Sequence, residues 1–413
     1  MTDSSAGTAD VLVVGAGPAG CGAAIRLARS GHRVTVLERR TGTTPTVRGD
    51  ALIPSAVDEL RQIGVDARVG HRVDGVTLSA RGRRLDLAWP RPESSGYVLQ
   101  RDTLNAALRE RAAEAGATVV LGAEAQTPIV ERGFVRGARA VDRAGHVHDH
   151  RGRFVVVADG AASRFGRALG TVRERSWPYA ITTSTYFESP RSDVHRLEIH
   201  LDLTDPRGTP MPGHGWVHPL GDGRVNVGVV LLSSFRDVLG VNTIKLLREF
   251  IESVADAWGF DATRPLAEPV RRRTPLGGSV GPKMGPTFLV IGDAAGVANP
   301  FDGHGVRAAL LTGRLAAEAV DEGLGVGTSA SLQRFPVRLQ EVMGSYHQVG
   351  RLTARFLGRP SILRPAVGVG MRSESIMGAA LRIATGELRR EHSGGAERIL
   401  RLATVLARFA PSW

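Results

Sequence analysis

The residues best able to do chemistry in this 413-residue chain fall into six short groups. Gly15-Ala16-Gly17-Pro18-Ala19-Gly20 is a glycine-rich turn, with Glu38 placed 18 residues beyond its last glycine. Arg48-Gly49-Asp50 offers a cation and an acid within three residues. Asp159-Gly160 and Gly292-Asp293 each join a carboxylate to a glycine, Gly303-His304-Gly305 frames an imidazole, and His214, Trp216 and His218 alternate along one stretch. The first group has a specific chemical meaning. Gly15 permits a tight turn, Gly17 lets backbone approach a pyrophosphate, Gly20 allows close helix–strand packing, and Glu38 accepts from a ribose hydroxyl. Arg39, beside Glu38, and Ala123 are counted with this set as dinucleotide contacts.

Such a fingerprint carries weight only between a strand and a helix, and the flanking pattern supplies both. Val11–Val14 is a short apolar run, Ala19–Ala28 has helical spacing, and residues 33–37 form a second strand ending at the acid. Residues 41–54, rich in Thr, Gly and Pro, read as a loop. Residues 75–89 alternate like antiparallel strands, 101–115 are helical, and 118–121 and 154–157 are further apolar strands. Four strands follow at 180–187, 196–203, 214–219 and 225–232, then a helix near 241–258 and a buried strand at 287–291. The expected fold class is α/β: a Rossmann-like dinucleotide domain with an inserted antiparallel β-sheet substrate domain and a helical C-terminal region. The predicted boundaries are 1–74, 96–179 and 268–330 for the nucleotide domain, 75–95 and 180–267 for the substrate domain, and 331–413 for the helical region.

The fingerprint does not distinguish FAD from NAD, but the later acids bear on the choice. Asp159-Gly160 directly follows a buried strand, Gly292-Asp293 ends another, and Gly303-His304-Gly305 precedes a helix starting near Val306. Acids at strand ends accept from the ribityl hydroxyls of a flavin. Free amides at that helix start suit the pyrimidine edge of a reduced, anionic flavin ring.

This combination resembles the FAD-dependent geranylgeranyl reductase family, within the wider group of aromatic-hydroxylase-like flavoproteins, over roughly residues 8–325. The resemblance includes Tyr97-Val-Leu-Gln-Arg101-Asp, whose arginine the family uses against the flavin, and residues 212–228, similar to the family's substrate-cavity strand. It implies non-covalent FAD, reduced by NAD(P)H without a separate nicotinamide domain, and hydrogenation of a C=C bond in an isoprenoid or similar hydrophobic substrate. Four residues depart from the family. His214 and His218 stand where Tyr and Phe are usual, Arg48-Gly49-Asp50 replaces Cys-Gly-Asp, and Gly303-His304-Gly305 replaces Gly-Glu-Gly.

In a strand, His214, Trp216 and His218 share one face. Unpaired polar groups are costly against pure hydrocarbon, so the departures point to a substrate with a polar or anionic part. His304, His218, Trp216, Arg48 and Asp50 are therefore the catalytic candidates, with His304, His218 or water as the proton source. The plainer alternative for His218 and His304 is a core histidine bonded to backbone. His146, His148 and His150 alternate on one strand face but read as a solvated hairpin, and no metal site is expected. Cys21 reads as a small packing residue.

Composition narrows the remaining classes. One cysteine excludes a disulfide framework and a multi-cysteine zinc site. No secretory signal or apolar run of about 20 residues is visible, so a reducing cytoplasm is the expected compartment. The formal charge is +12, yet Lys245 and Lys283 are the only lysines and the arginines are dispersed. A basic nucleic-acid-binding protein is thus a weak alternative, and nucleic acid is not an expected partner. The stretch from Arg398 to Arg408 reads as a basic amphipathic helix that either covers the domain or docks peripherally on an anionic membrane. The leading alternative in reaction type is a single-component FAD monooxygenase. Dehydrogenation and halogenation are weaker readings.

Overall fold

The computed structural model describes residues 8–42, 47, 51–91, 93–205, 208–234 and 238–387. Arg48, Asp50 and the basic stretch 398–408 lie outside the described residues.

The chain opens with strand β1 (Ala9–Val14), helix α1 (Pro18–Arg29) and strand β2 (Val34–Glu38). Strands β3 (Gly75–Ala80) and β4 (Arg83–Ala88) form a hairpin, followed by α2 (Arg101–Glu114), β5 (Thr118–Leu121) and a meander of β6 (Glu124–Glu131), β7 (Phe134–Val141) and β8 (Val147–Val157). Four strands then alternate in direction: β9 (Tyr179–Glu188), β10 (Leu197–His200), β11 (Gly213–Pro219) and β12 (Arg224–Leu232). Helix α3 (Thr243–Trp258), β13 (Val270–Pro275), β14 (Phe288–Val290) and α4 (Val306–Gly325) follow. The described chain closes with α5 (Ser345–Leu357), α6 (Pro360–Gly370) and α7 (Glu374–Ala384).

Two seven-stranded sheets result. The first has the order β5-β2-β1-β8-β7-β6, with β14 added beside β8. Its β5, β2, β1, β8 and β14 run parallel, with Val13 opposite Val156. Val11, Leu12 and Val13 are fully buried, as expected for a strand covered on both faces. α1 meets α4 through small residues: a Cβ at Gly313 would lie 2.6 Å from the Ala19 carbonyl oxygen. That close approach brings the start of α4 toward the glycine turn.

The second sheet has the order β13-β9-β12-β11-β10-β3-β4, antiparallel except for the β3–β10 pair. Period-two alternation gives it two different faces. Val225, Val227, Val229 and Leu231 pack with Leu247, Phe250, Ile251 and Val254 of α3. Intervening residues, including Trp216 and Val230, form the other face. Each fully buried aliphatic side chain contributes roughly 1.5–3 kcal/mol, so burial against α3 holds the opposite face at a fixed position. Strand β13 belongs to this sheet, so the predicted boundary at 267/268 falls before its edge strand. The sequence Val270-Arg-Arg-Arg-Thr-Pro hid that strand: Arg271 and Arg273 are exposed and Arg272 is half-buried, as an edge strand allows.

Candidate functional site

A cleft runs between the ends of β1, β2 and β8 and the inner face of the second sheet. Its first part, about 1330 Å³, is lined by Gly15, Gly17, Glu38, Arg39, Ala123, Asp159 and Gly160 among others. The second part, about 1100 Å³, reaches Arg101, His214, Trp216, His218, Gly303, His304 and Gly305. Gly17, Ala158, Gly160, Arg272, Thr274 and Asp293 line both parts. A single elongated ligand can therefore occupy the two together.

The phosphate end follows from backbone geometry. Gly15 has φ +105°, and a Cβ there would sit 2.4 Å from the Ala158 carbonyl oxygen. Nothing lies within 4 Å of a Cβ placed on Gly17 or Gly160, so both border open space. Helix α1 begins with Pro18 and has no side-chain cap or acid in its first turn, leaving its positive end toward the cleft. Glu38 accepts from the Ala16 amide through Oε2 and from the Arg40 amide through Oε1, each at 2.9 Å. Each oxygen keeps a lone pair for a ribose hydroxyl.

Gly20 and Gly292 shape the cleft from behind instead of lining it. A Cβ on Gly20 would lie 1.9 Å from the Gly15 carbonyl oxygen, and one on Gly292 would lie 2.7 Å from the Ala19 Cβ. Asp159 lines the first part of the cleft. Its Oδ1 accepts from Ser163 Oγ at 2.7 Å and its Oδ2 from the Phe165 amide at 2.9 Å, so it organises its own turn. Burial raises its pKa despite those bonds. Asp293 occupies the junction of the cleft beside Gly305, where a Cβ would lie 2.9 Å from its Oδ1.

At the other end, α4 starts with Gly305 as an uncapped N-terminus and no acid in its first turn. Arg101, buried at the start of α2, lines the same space. These features fit FAD: a pyrophosphate-sized opening at Gly17 and Gly160, an acid at ribose distance, and a helix start plus a buried guanidinium at the ring end. FAD, when bound and reduced, supplies hydride to a substrate held against its ring.

The wall opposite is β11. Gly215 sits where a Cβ would lie 2.3 Å from the Phe250 ring, and Gly228 where one would lie 2.2 Å from Trp216. The first glycine seats β11 on α3, and the second lets the indole lie across β12. Trp216 Nε1 donates to Asn226 Oδ1 at 2.7 Å. His214 and His218 flank the indole, with the His218 ring near-parallel to it at 5.8 Å. Burial drives the His214 pKa down to about 4 and that of His218 well below its ordinary value. Both imidazoles are neutral at pH 7. His218 is buried, and among the described residues neither ring nitrogen has a hydrogen-bond partner, unlike a core histidine bonded to backbone.

His304 differs because Asp302 lies beside it at 3.0 Å, an ion-pair contact that is not an in-line hydrogen bond. Burial pulls its pKa down, but attraction to the Asp302 carboxylate outweighs it and the pKa is raised overall. Asp302, Arg272, Thr274 and Asn105 line the cleft and were missed from sequence. The alternation of Arg272 and Thr274 was the available signal. Asn105 lies one helical turn beyond Arg101, the spacing that places two residues on the same face.

Elsewhere, His146 and His148 meet at the Asp142 carboxylate on the exposed hairpin, at 3.3 and 3.1 Å, while His150 does not join them. Cys21 is fully buried, and desolvation pushes its thiol up to about 12, as suits a packing residue.

Residues 8–238 match the FAD binding domain family. The chain is 33% identical over 409 residues to menaquinone reductase of Mycolicibacterium smegmatis, covering 97% of each protein. It is 35% identical over 367 residues to digeranylgeranylglycerophospholipid reductase 1 of Methanopyrus kandleri, covering 84% of this chain and 90% of that one. The fold is similar to the crystal structure of a geranylgeranyl bacteriochlorophyll reductase-like protein from Thermoplasma acidophilum, with TM-score 0.77, 24% identity, and 96% and 99% coverage.

Fold and cleft together define an FAD-binding oxidoreductase. The chain belongs to the FAD-dependent geranylgeranyl reductase family, whose relatives here bear reductase names.

Proposed function

We propose that this enzyme uses NAD(P)H to reduce its flavin and then hydrogenates one isoprenoid C=C bond of a quinone-headed lipid. The observation that carries the reading is the buried His218, with both ring nitrogens unpartnered among the described residues, on the wall facing the flavin end of the cleft. A hydrocarbon placed there would leave those nitrogens desolvated and unbonded, at a cost of about 1–3 kcal/mol. A quinone oxygen accepts from the N–H of a neutral imidazole. The name menaquinone reductase, borne by a relative aligned over 97% of the chain, supports the same substrate class. The reductase names also favour hydrogenation over oxygenation.

In this reading the α1 N-terminus, Glu38 and Asp293 hold the cofactor, while Arg101 and the α4 start balance negative charge at its ring end. Trp216 and Val230 exclude water, and a histidine supplies the proton. Arg48 and Asp50 are proposed contributors on the substrate side. The protein works on the cytoplasmic side of a membrane and meets it peripherally. No described helix is long and apolar enough to cross a bilayer, but Phe356, Val369 and Ile376 are exposed near Arg359, Arg364 and Arg372. That mixture of apolar and basic groups suits an anionic lipid surface.

The test is anaerobic. NADPH-reduced enzyme is mixed with menaquinone-4 or digeranylgeranylglycerophospholipid in micelles, and flavin reoxidation is followed near 450 nm with mass analysis of the lipid. A gain of two hydrogens in the menaquinone side chain is expected. A strict requirement for O2, with oxygen entering the product, would overturn the reading.

A further inference from the structure

Three histidines face one cavity, and among the described residues only His304 has a carboxylate within ion-pair distance. We propose that Asp302 is a positioning residue that fixes His304 as the proton donor, leaving His214 and His218 as neutral groups that contact the substrate. The inference rests on the proposed hydrogenation and adds the division of labour within the site.

Asp302 grips His304 twice. Its Oδ1 accepts from the His304 amide at 2.9 Å, and its Oδ2 lies 3.0 Å from Nδ1 of the same ring. One carboxylate therefore fixes backbone and ring together, two residues before the first residue of α4. With Nδ1 paired to an anion, Nε2 is the nitrogen left to give a proton. His304 also borders a second, smaller cavity lined by Met343, Tyr346, Asn299 and Thr385. It thus stands in the partition between two spaces, and α7 is pinned at that partition by Asn299 Nδ2 and Tyr346 Oη donating to the Ala384 carbonyl.

The charges facing His304 come from several elements. Arg101 from α2 opposes its protonation, Asp302 favours it, and neutral His214 and His218 face it from β11. Asp293 borders the flavin cavity, while Arg307 and Tyr346 border the second. Since Asp302 is the nearest charge, the raised pKa of His304 is consistent with the geometry.

The step balances simply. The π bond of the alkene breaks, one carbon receives hydride from the reduced cofactor, and the other receives the Nε2 proton of the imidazolium. His304 becomes neutral, Asp302 stays anionic, and solvent returns the proton. The alkene is reduced by two electrons and the flavin is oxidised by two.

The experiment uses FAD-loaded enzyme labelled with 13C-histidine, with ring signals followed by NMR against pH and assigned by their loss in His304→Gln, His214→Gln and His218→Gln. In the wild type, His304 is expected to titrate above the other two. In Asp302→Asn its midpoint should fall by about one pH unit or more. Anaerobic reoxidation by menaquinone-4 at pH 7.5 should slow at least tenfold, and Asp302→Glu should recover part of both effects. A wild-type His304 midpoint at or below that of His214 overturns the inference without needing any Asp302 variant. So does an Asp302→Asn protein with unchanged midpoint and rate, or His304→Gln with undiminished reoxidation. If wild-type enzyme instead fails to reduce either prenylated lipid, the underlying reading falls while the titration order still reports on Asp302.

Discussion

Replacing Gly215 with Ala tests how the substrate wall is held. The added methyl would stand 2.3, 2.4 and 2.7 Å from three carbons of the Phe250 ring, which is itself buried against β11 and β12. Overpacking of this kind costs about 1–3 kcal/mol. Against that, loss of glycine freedom in the unfolded chain returns about 0.4–1 kcal/mol, since Gly215 does not occupy a left-handed backbone conformation. The net expectation is destabilisation by about 1–2 kcal/mol. Because β11 must shift to admit the methyl, His214, Trp216 and His218 move with it, and turnover should fall by roughly tenfold or more. Phe250→Leu removes the obstructing ring edge. In that background the same Gly215→Ala change should become neutral or stabilising, and it should no longer slow turnover. Urea denaturation of the four proteins, with steady-state rates on each, forms a double-mutant cycle. Identical effects of Gly215→Ala in both backgrounds would refute the argument that Phe250 sets the position of β11.

Two further outcomes follow from the same geometry. Gly15→Ala meets both a left-handed φ of +105° and the Ala158 carbonyl oxygen at 2.4 Å, so purified protein should lose most of its bound flavin, read as the ratio of absorbance at 450 and 280 nm; full retention would contradict the phosphate-turn assignment. Stability should also depend on pH through buried histidines. His214, His218 and His347 have folded pKa values below the unfolded value of about 6.5, at about 4, well lower, and about 3 respectively, each chiefly through desolvation. The unfolded chain therefore binds protons first, so their contribution is complete above pH 6.5 and drains as pH falls from 6.5 toward 4. The expected slope approaches about 1.4 kcal/mol per pH unit for each histidine. His304, with a raised value, acts in the opposite sense, its contribution being lost as pH rises through its folded pKa. Urea midpoints that stay flat from pH 6.5 to 4.5 would contradict the burial of the three neutral rings.

Much of this arrangement is legible in the sequence where local chemistry dictates it. The turn from Gly15 to Gly20 between an apolar strand and a helix has one common use, and Glu38 at the next strand end completes it. Period two puts His214, Trp216 and His218 on one face, and α3 buries the other. What could not be read depends on contacts distant in sequence. Strand β13 looks polar because it lies at a sheet edge, and only its pairing with β9 reveals it. Asp159 lines the cleft as its place at a strand end suggests, but the bonds that brace its carboxylate against Ser163 and Phe165 do not show in the spacing. Asp302 was overlooked beside the more conspicuous His304. Its importance comes from a 3.0 Å approach to the ring, which residue spacing alone does not announce.

The central claim is that the cleft delivers hydride and a proton to an isoprenoid double bond. The most direct measurement is a single anaerobic turnover of enzyme reduced with 4-deuterated NADPH of the transferred face in D2O, using menaquinone-4 as acceptor. Product carrying two deuterium atoms in its side chain, formed at the rate of flavin reoxidation, is the predicted result. Reoxidation that leaves the side chain intact, or that occurs only after O2 is admitted, would contradict it.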